Sequence, residues 1–198
     1  MIGLTGGLAA GKSTALEELR RLGAATASAD EAARALSGPG GPLARAVRRL
    51  FGPGCLAADG SVDRAATARR VFADPAARRR LEAASHPAIL REVERRLARS
   101  RRPVAVVDAP LLFEAGLEKR FDLTMTVSAP RAAALARARA RGTMARAEAL
   151  RRMRAQWPPA RKERAADVVL ANDGSKDDLR RKVRDYYRAF ELLAGSSE

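Results

Sequence analysis

The sequence predicts an α/β protein in which a parallel sheet is flanked by helices and interrupted by two helical insertions. Three observations carry that prediction. Short apolar runs recur between helical stretches, the rhythm of strand–helix–strand units. The first run opens directly into GGLAAGKS at residues 6–13, and that into a helical pattern. Residues 31 to about 100 then contain many helix signals and no convincing strand.

The first strand is expected over Met1–Thr5. Beyond it, Gly6, Gly11, Lys12 and Ser13 fill G-x-x-x-x-G-K-[ST], the phosphate-binding P-loop, which places the chain in the P-loop NTPase fold. The glycines let the backbone turn with its N–H groups aimed inward, where a side chain would collide with phosphate. Lys12 supplies charge for the β- and γ-phosphates, and the Ser13 hydroxyl is placed to ligand Mg²⁺. Ala15, Leu16, Leu19 and Leu22 then repeat at helical spacing, and Gly23 stands where a left-handed C-cap belongs. The helix N-terminus completes an anion site.

Further strands are expected at Ala24–Ser28, Val104–Asp108, Leu123–Ser128 and Asp167–Leu170. Pro103 and Pro110 bracket the third strand, whose Val-Ala-Val-Val run suits burial on both faces. In the first insertion, Pro39, Gly40, Gly41 and Pro42 punctuate the beginning. Asp74-Pro75 sets an N-cap before a proline at the first helical position. Leu90, Val93 and Leu97 mark one face of the helix that follows. His86-Pro87 reads as a structural turn, and Asp59-Gly60 and Arg64 as loop residues. The second insertion, 131–164, is arginine-rich and helical around Gly142. Ser175 with Asp178 forms a capping box, and Leu179, Val183, Tyr186, Phe190 and Leu193 form the buried stripe of a closing helix. The expected organisation is a nucleotide-binding core of 1–30, 101–130 and 165–198, a helical acceptor domain of 31–100 and a lid of 131–164.

Composition narrows the function classes. One cysteine, Cys55, leaves no internal disulfide and no support for a thiolate metal cluster. His86 is the only histidine, so a histidine triad or zinc site is not expected. No apolar run approaches the ~18 residues of a membrane span, and the N-terminal residues have no signal-peptide pattern. A cytosolic, soluble protein without a membrane partner is expected, monomeric or weakly homo-oligomeric. The net charge of +15 is mostly arginine scattered over predicted helices, and only 4% of residues are aromatic. A single-strand binder would be expected to set stacking rings beside its charges. The charge therefore reads as solvated helix faces with a share near bound phosphates, and no specific nucleic-acid partner.

Phosphoryl transfer needs phosphates held and neutralised, an acceptor oriented and its proton removed. Asp30 stands just beyond the carboxyl end of strand two, the edge where open α/β sheets bind ligands. It reads either as a base or as an N-cap for a helix over 31–36. Asp108, at the end of strand three, reads either as a carboxylate holding Mg²⁺ through water or as a cap of the next turn. Arg137 and Arg141 are four apart and share one helix side, with Arg146 following Gly142. Guanidinium forks suit transferring phosphates once water is excluded.

Along nearly its whole length the chain resembles the bacterial dephospho-CoA kinase family. LTGGLAAGKST at 4–14 is similar to that family's P-loop, and Ser28–Asp30 to its D-A-D. FG at 51–52, DGSVDR at 59–64, VF at 71–72 and HP at 86–87 follow in order, then DAPLLFE at 108–114, Arg137 and Arg141, Gln156, and ADVVLAN at 166–172. The chain departs from the family at Ala9 (usually glycine), Ala10 (usually serine) and Ser28 (the first aspartate of D-A-D). The resemblance implies a kinase that moves the ATP γ-phosphoryl group, with Mg²⁺, to the ribose 3′-hydroxyl of dephospho-CoA. It implies Lys12, Asp30 and Arg141 as catalytic residues, with Asp30 as general base. It implies ATP contacts from Gly7, Leu8, Ala9, Ala10, Gly11, Lys12, Ser13, Thr14, Arg137 and Asn172, and metal contacts from Ser13 and, through water, Asp108. Acceptor contacts are implied for Asp30, His86, Leu111 and Glu114. A nucleoside monophosphate or shikimate kinase is the alternative enzyme, and a basic nucleic-acid-binding module the alternative outside enzymes.

Overall fold

The computed structural model describes residues 1–140 and 156–195. The chain divides into two compact units, Met1–Thr26 with Ser100–Glu198, and Ala27–Arg99.

The first unit carries the sheet. Strands β1 (Ile2–Gly6), β2 (Ala25–Ser28, which runs on into the second unit), β3 (Ala105–Asp108), β4 (Leu123–Ser128) and β5 (Val168–Ala171) lie in the order β2-β3-β1-β4-β5. β1 pairs parallel with β3 and β4, placing Leu4 opposite both Asp108 and Met125, and β4 pairs parallel with β5. The strand boundaries fall within a residue of expectation. β2 starts at Ala25 because the Ala24 N–H is still bonded to the Leu19 carbonyl, 2.9 Å away, as part of the preceding helix end. All of β1 is buried, as befits the middle strand of a sheet covered on both faces.

Helix α1 (Lys12–Leu22) buries Ala15, Leu16 and Leu19 and ends at Gly23, φ 111°, the left-handed cap expected there. The closing helix, α8 (Lys176–Gly195), starts at the predicted capping box: the Ser175 hydroxyl and N–H both donate to Asp178 Oδ2, and the Asp178 N–H returns to Ser175 Oγ. Its buried stripe is Leu179, Val183, Tyr187 and Phe190, which corrects the sequence reading. Tyr186 is 37% exposed and Leu193 63%. The reason is helical pitch. Leu179 to Phe190 is eleven residues in three turns, close to the natural repeat, whereas 183-186-190-193 drifts off one face. The other α-helices of this unit among the described residues are α6 (Arg131–Ala140) and α7 (Pro159–Ala165).

The second unit packs α2 (Ala29–Leu36), α3 (Pro42–Phe51) and α4 (Arg64–Ala73) on the long α5 (Pro75–Leu97). Its core includes Ala32, Leu43, Val47, Ala77, Leu90 and Val93. Asp63 caps α4 by accepting the N–H groups of Ala65 and Ala66 at 2.9 Å, and Asp74 caps α5 through Ala76 at 2.8 Å with Pro75 next to it. Asp59 and Gly60 (φ 81°) form a turn whose ends join at an antiparallel bridge, Leu56 to Val62. His86 and Pro87 lie inside α5, not in the turn that the dipeptide suggests. A proline in a helix interior costs about 3 kcal/mol. The helix survives because tertiary packing of its apolar face supplies more than one lost hydrogen bond removes.

Candidate active site

The P-loop joins β1 to α1, and its shape is held from β4 and β5. A Cβ on Gly6 would stand 2.7 Å from the Val127 carbonyl oxygen, so only glycine lets the loop leave β1 this close to β4. Gly11 is left-handed at φ 110°, and a Cβ there would lie 2.3 Å from Asn172 Nδ2. That contact is used. Asn172, buried just past β5, donates its side-chain N–H to the Ala10 carbonyl at 2.7 Å and its backbone N–H to Ser128 at 2.6 Å. Of the ATP contacts expected from the sequence, Asn172 is thus engaged with the loop backbone itself.

Ala9 sits at φ 56°, the one left-handed non-glycine among the described residues. An L-residue with a Cβ in this region is strained by roughly 1–2 kcal/mol, which is why a glycine is the natural occupant there. Ala10 is buried, and Gly7 and Leu8 are partly exposed. Ser13 is exposed in the first turn of α1, while Thr14 is buried. No acidic residue stands in that turn, so the positive end of the helix is left uncompensated for an anion.

Lys12 Nζ is paired with the Asp108 carboxylate, with both side chains about a fifth exposed (18% and 19%). β3 and β1 are in register, so the end of β3 brings Asp108 to the lysine 96 positions away in sequence. Asp108 is therefore an electrostatic partner of the P-loop. The turn after it closes through backbone bonds, Ala109 N–H to Leu4 and Leu112 N–H to Ala109.

Arg137 on α6 approaches Asn172, with one terminal nitrogen 3.4 Å from Oδ1 and 3.5 Å from the carbonyl oxygen. Its other terminal nitrogen is buried without a hydrogen-bond partner among the described residues. Arg141 and Arg146, with Gly142, lie outside the described residues. Leu111 is 44% exposed, whereas the Glu114 side chain is buried and ion-paired with Lys162 at 3.0 Å. Sequence reasoning did not single out Lys162. No local pattern distinguishes it from the other cations of an arginine-rich stretch, and its fully buried ammonium is a tertiary fact.

Asp30 and His86 belong to the helical unit. Asp30 is exposed in the first turn of α2 and is not its cap. Ser28 fills that position, its hydroxyl accepting the Glu31 N–H at 3.3 Å. The departure Ser28 thus performs a capping task for which serine and aspartate are about equally suited. His86 is half-buried on α5. Burial pushes its imidazole below the ordinary histidine range, with Glu82 partly opposing the shift. Among the described residues, no group of three or more histidine, cysteine, aspartate or glutamate side chains could hold a metal ion, and no helix is long and apolar enough to cross a membrane.

A parallel sheet with a glycine loop after its first strand, a lysine and a serine opening the next helix, and a carboxylate delivered by a neighbouring strand end defines a P-loop nucleotide-binding phosphotransferase. The profile of the dephospho-CoA kinase family matches residues 1–178, and the chain belongs to that family, whose members are ATP-dependent kinases acting on an alcohol group. It is 46% identical to the dephospho-CoA kinase of Anaeromyxobacter dehalogenans over 92% of this chain and 88% of that one. It is 43% identical to the one from Geobacter sulfurreducens over 94% and 96%. Among solved structures it is similar to TT1252 from Thermus thermophilus (TM-score 0.79, 36% identity, 95% and 96% covered). It is also similar to the dephospho-CoA kinase from Campylobacter jejuni (TM-score 0.67, 25% identity, 96% of both chains covered).

Proposed function

We propose that this chain transfers the γ-phosphoryl group of ATP to the ribose 3′-hydroxyl of dephospho-CoA, giving CoA and ADP. The observation that carries the reading is the Lys12–Asp108 pair at the mouth of a P-loop, in a chain of this family. Lys12 and the loop N–H groups hold the triphosphate, and Lys12 follows the charge as it moves onto the β–γ bridging oxygen. Asp30 orients the attacking hydroxyl and takes its proton as the new O–P bond forms. Arg141 and Arg137, on the 131–164 lid, cover the phosphates and exclude water. The helical unit, with His86 among its residues, holds the acceptor.

The donor set at the loop fits Mg²⁺. Ser13 offers an exposed hydroxyl and Asp108 a partly exposed carboxylate, hard oxygen ligands of the kind this ion takes in small number beside substrate phosphates. When bound, the ion would neutralise the β- and γ-oxygens, with Ser13 as direct ligand and Asp108 acting through water.

The test is kcat/KM at fixed ATP and Mg²⁺ for dephospho-CoA, AMP, adenosine and shikimate. Dephospho-CoA should lead clearly, because binding energy from its pantetheine arm can be used to orient the hydroxyl. If AMP or shikimate equals it, the acceptor assignment fails and only a P-loop kinase remains.

A further inference from the structure

We propose that Lys162 and Glu114 form a positioning pair for the phosphoryl transfer: a buried cation–anion strut that ties the end of β1, from which the P-loop leads to Lys12, to the turn that follows Asp108 at the end of β3. The inference rests on the kinase reading above; it gives Glu114, for which the resemblance implies an acceptor contact, a positioning role instead, and adds Lys162, which that reading does not use.

Lys162, on α7, is fully buried. Its Nζ lies 3.1 Å from Thr5 Oγ1, 2.7 Å from the Pro110 carbonyl oxygen and 3.0 Å from Glu114 Oε1. An ammonium has three protons and no acceptor, so three acceptors satisfy it. Two of them are the ends that matter. Thr5 immediately precedes the first glycine of the P-loop, and Pro110 is two residues beyond Asp108. The Thr5 hydroxyl also donates to Pro110 O at 3.2 Å, which closes the arrangement.

Glu114 is held in turn. Its Oε1 accepts the Trp157 backbone N–H at 2.5 Å, while its Oε2 is buried with no hydrogen-bond partner among the described residues. The Trp157 ring stacks on Phe113, 6.0 Å between centroids, and Arg161 lies 3.4 Å from the Trp157 ring centre. Residues 157–162 are thereby fastened to 110–114 by an ion pair, a hydrogen bond from a backbone N–H to a carboxylate, and ring contacts.

A lysine in this place is an expensive way to fill space. Burial opposes its charge and the nearby Lys12 cation opposes it further; Glu114 works the other way. A well-packed apolar pair would stabilise such a site at least as well. What an apolar pair cannot do is bond two strand ends at fixed distance, and sub-ångström placement of Lys12 and Asp108 is what the reaction depends on.

The experiment compares wild type with Lys162→Met, Glu114→Gln and the double variant, reading kcat, the KM values for ATP and dephospho-CoA, and thermal midpoint. Each single change should lower kcat by about 10- to 100-fold while both KM values move less than about threefold. The double variant, with neither charge left unpaired, should recover the thermal midpoint but not kcat. Recovery of kcat together with the midpoint would make the pair purely structural and overturn the proposal. A folded Glu114→Gln with unchanged kcat would overturn it as well, and decides the matter if Lys162→Met does not fold. Wild type inactive on dephospho-CoA would sink the parent reading instead, an outcome separable from both.

Discussion

The two units of this chain use polar side chains in different ways. In the sheet unit they pair with one another across long sequence separations: Lys12 with Asp108, Lys162 with Glu114, Asn172 with the loop carbonyl of Ala10. In the helical unit several of them finish backbone. Ser28, Asp63 and Asp74 cap helices, and Asp59 closes a turn. Short motifs of similar appearance therefore mean different things in the two places. DGSVDR in the helical unit is a turn followed by a cap, whereas DAPLLFE in the sheet unit supplies charges to the P-loop and to Lys162. Asp30 breaks the pattern of its own unit, since it stands in the first turn of a helix already capped by Ser28.

The sharpest test of this contrast is Lys12→Ala, which should lower kcat by about 10²-fold or more, because the group acts on charge developing in the transition state. Its thermal midpoint should change little. Steady-state kinetics with a melting curve checks both, and a near-normal kcat would remove the P-loop pair from the chemistry.

Asp30→Asn should lower kcat by about 10²-fold while leaving ATP affinity near that of wild type. The amide keeps the shape and cannot accept a proton. If calorimetry instead found ATP binding lost with kcat retained, Asp30 would join the structural acids of its unit.

Asp63→Ala provides the opposite signature. It frees two N–H groups at the start of α4 and should cost about 1 kcal/mol of stability with kcat unchanged. A denaturant titration beside the activity assay measures it. A large kcat loss at equal stability would mean that this acid also serves the reaction.

The smallest effect concerns His86. Its imidazole is held below the ordinary range by burial, so between about pH 6.5 and its lower folded value the unfolded chain is protonated while the folded one is not. Stability is then present above that window and falls as pH drops through it. Being the only histidine, it can be isolated by His86→Gln. Wild type should lose more of its midpoint than the variant between pH 7.5 and 5.5. Parallel curves would place His86 in an environment without bias against its charge.

The parts legible beforehand are those whose cause lies within a few residues. Gly11, Lys12 and Ser13 declare a phosphate loop, Gly23 ends a helix, and Asp74-Pro75 and Ser175 with Asp178 start two more. Each works through a backbone angle or a hydrogen bond spanning one turn. His86-Pro87 misled because the local penalty of a proline was outweighed by packing along the whole of α5. Tyr186 misled because a one-residue choice at the helix face depends on accumulated pitch, and the structure buries Tyr187 instead.

By itself, then, the sequence determined the strands, the phosphate loop and the ordered motifs that mark the family. These follow from backbone stereochemistry and from hydrophobic period, which are local. The tertiary structure alone decided which carboxylate answers Lys12, that Asn172 closes on the loop, and that Lys162 is buried 157 positions from the threonine it binds. Charge and hydrogen bonding act through distance and burial, and neither is set by separation along the chain.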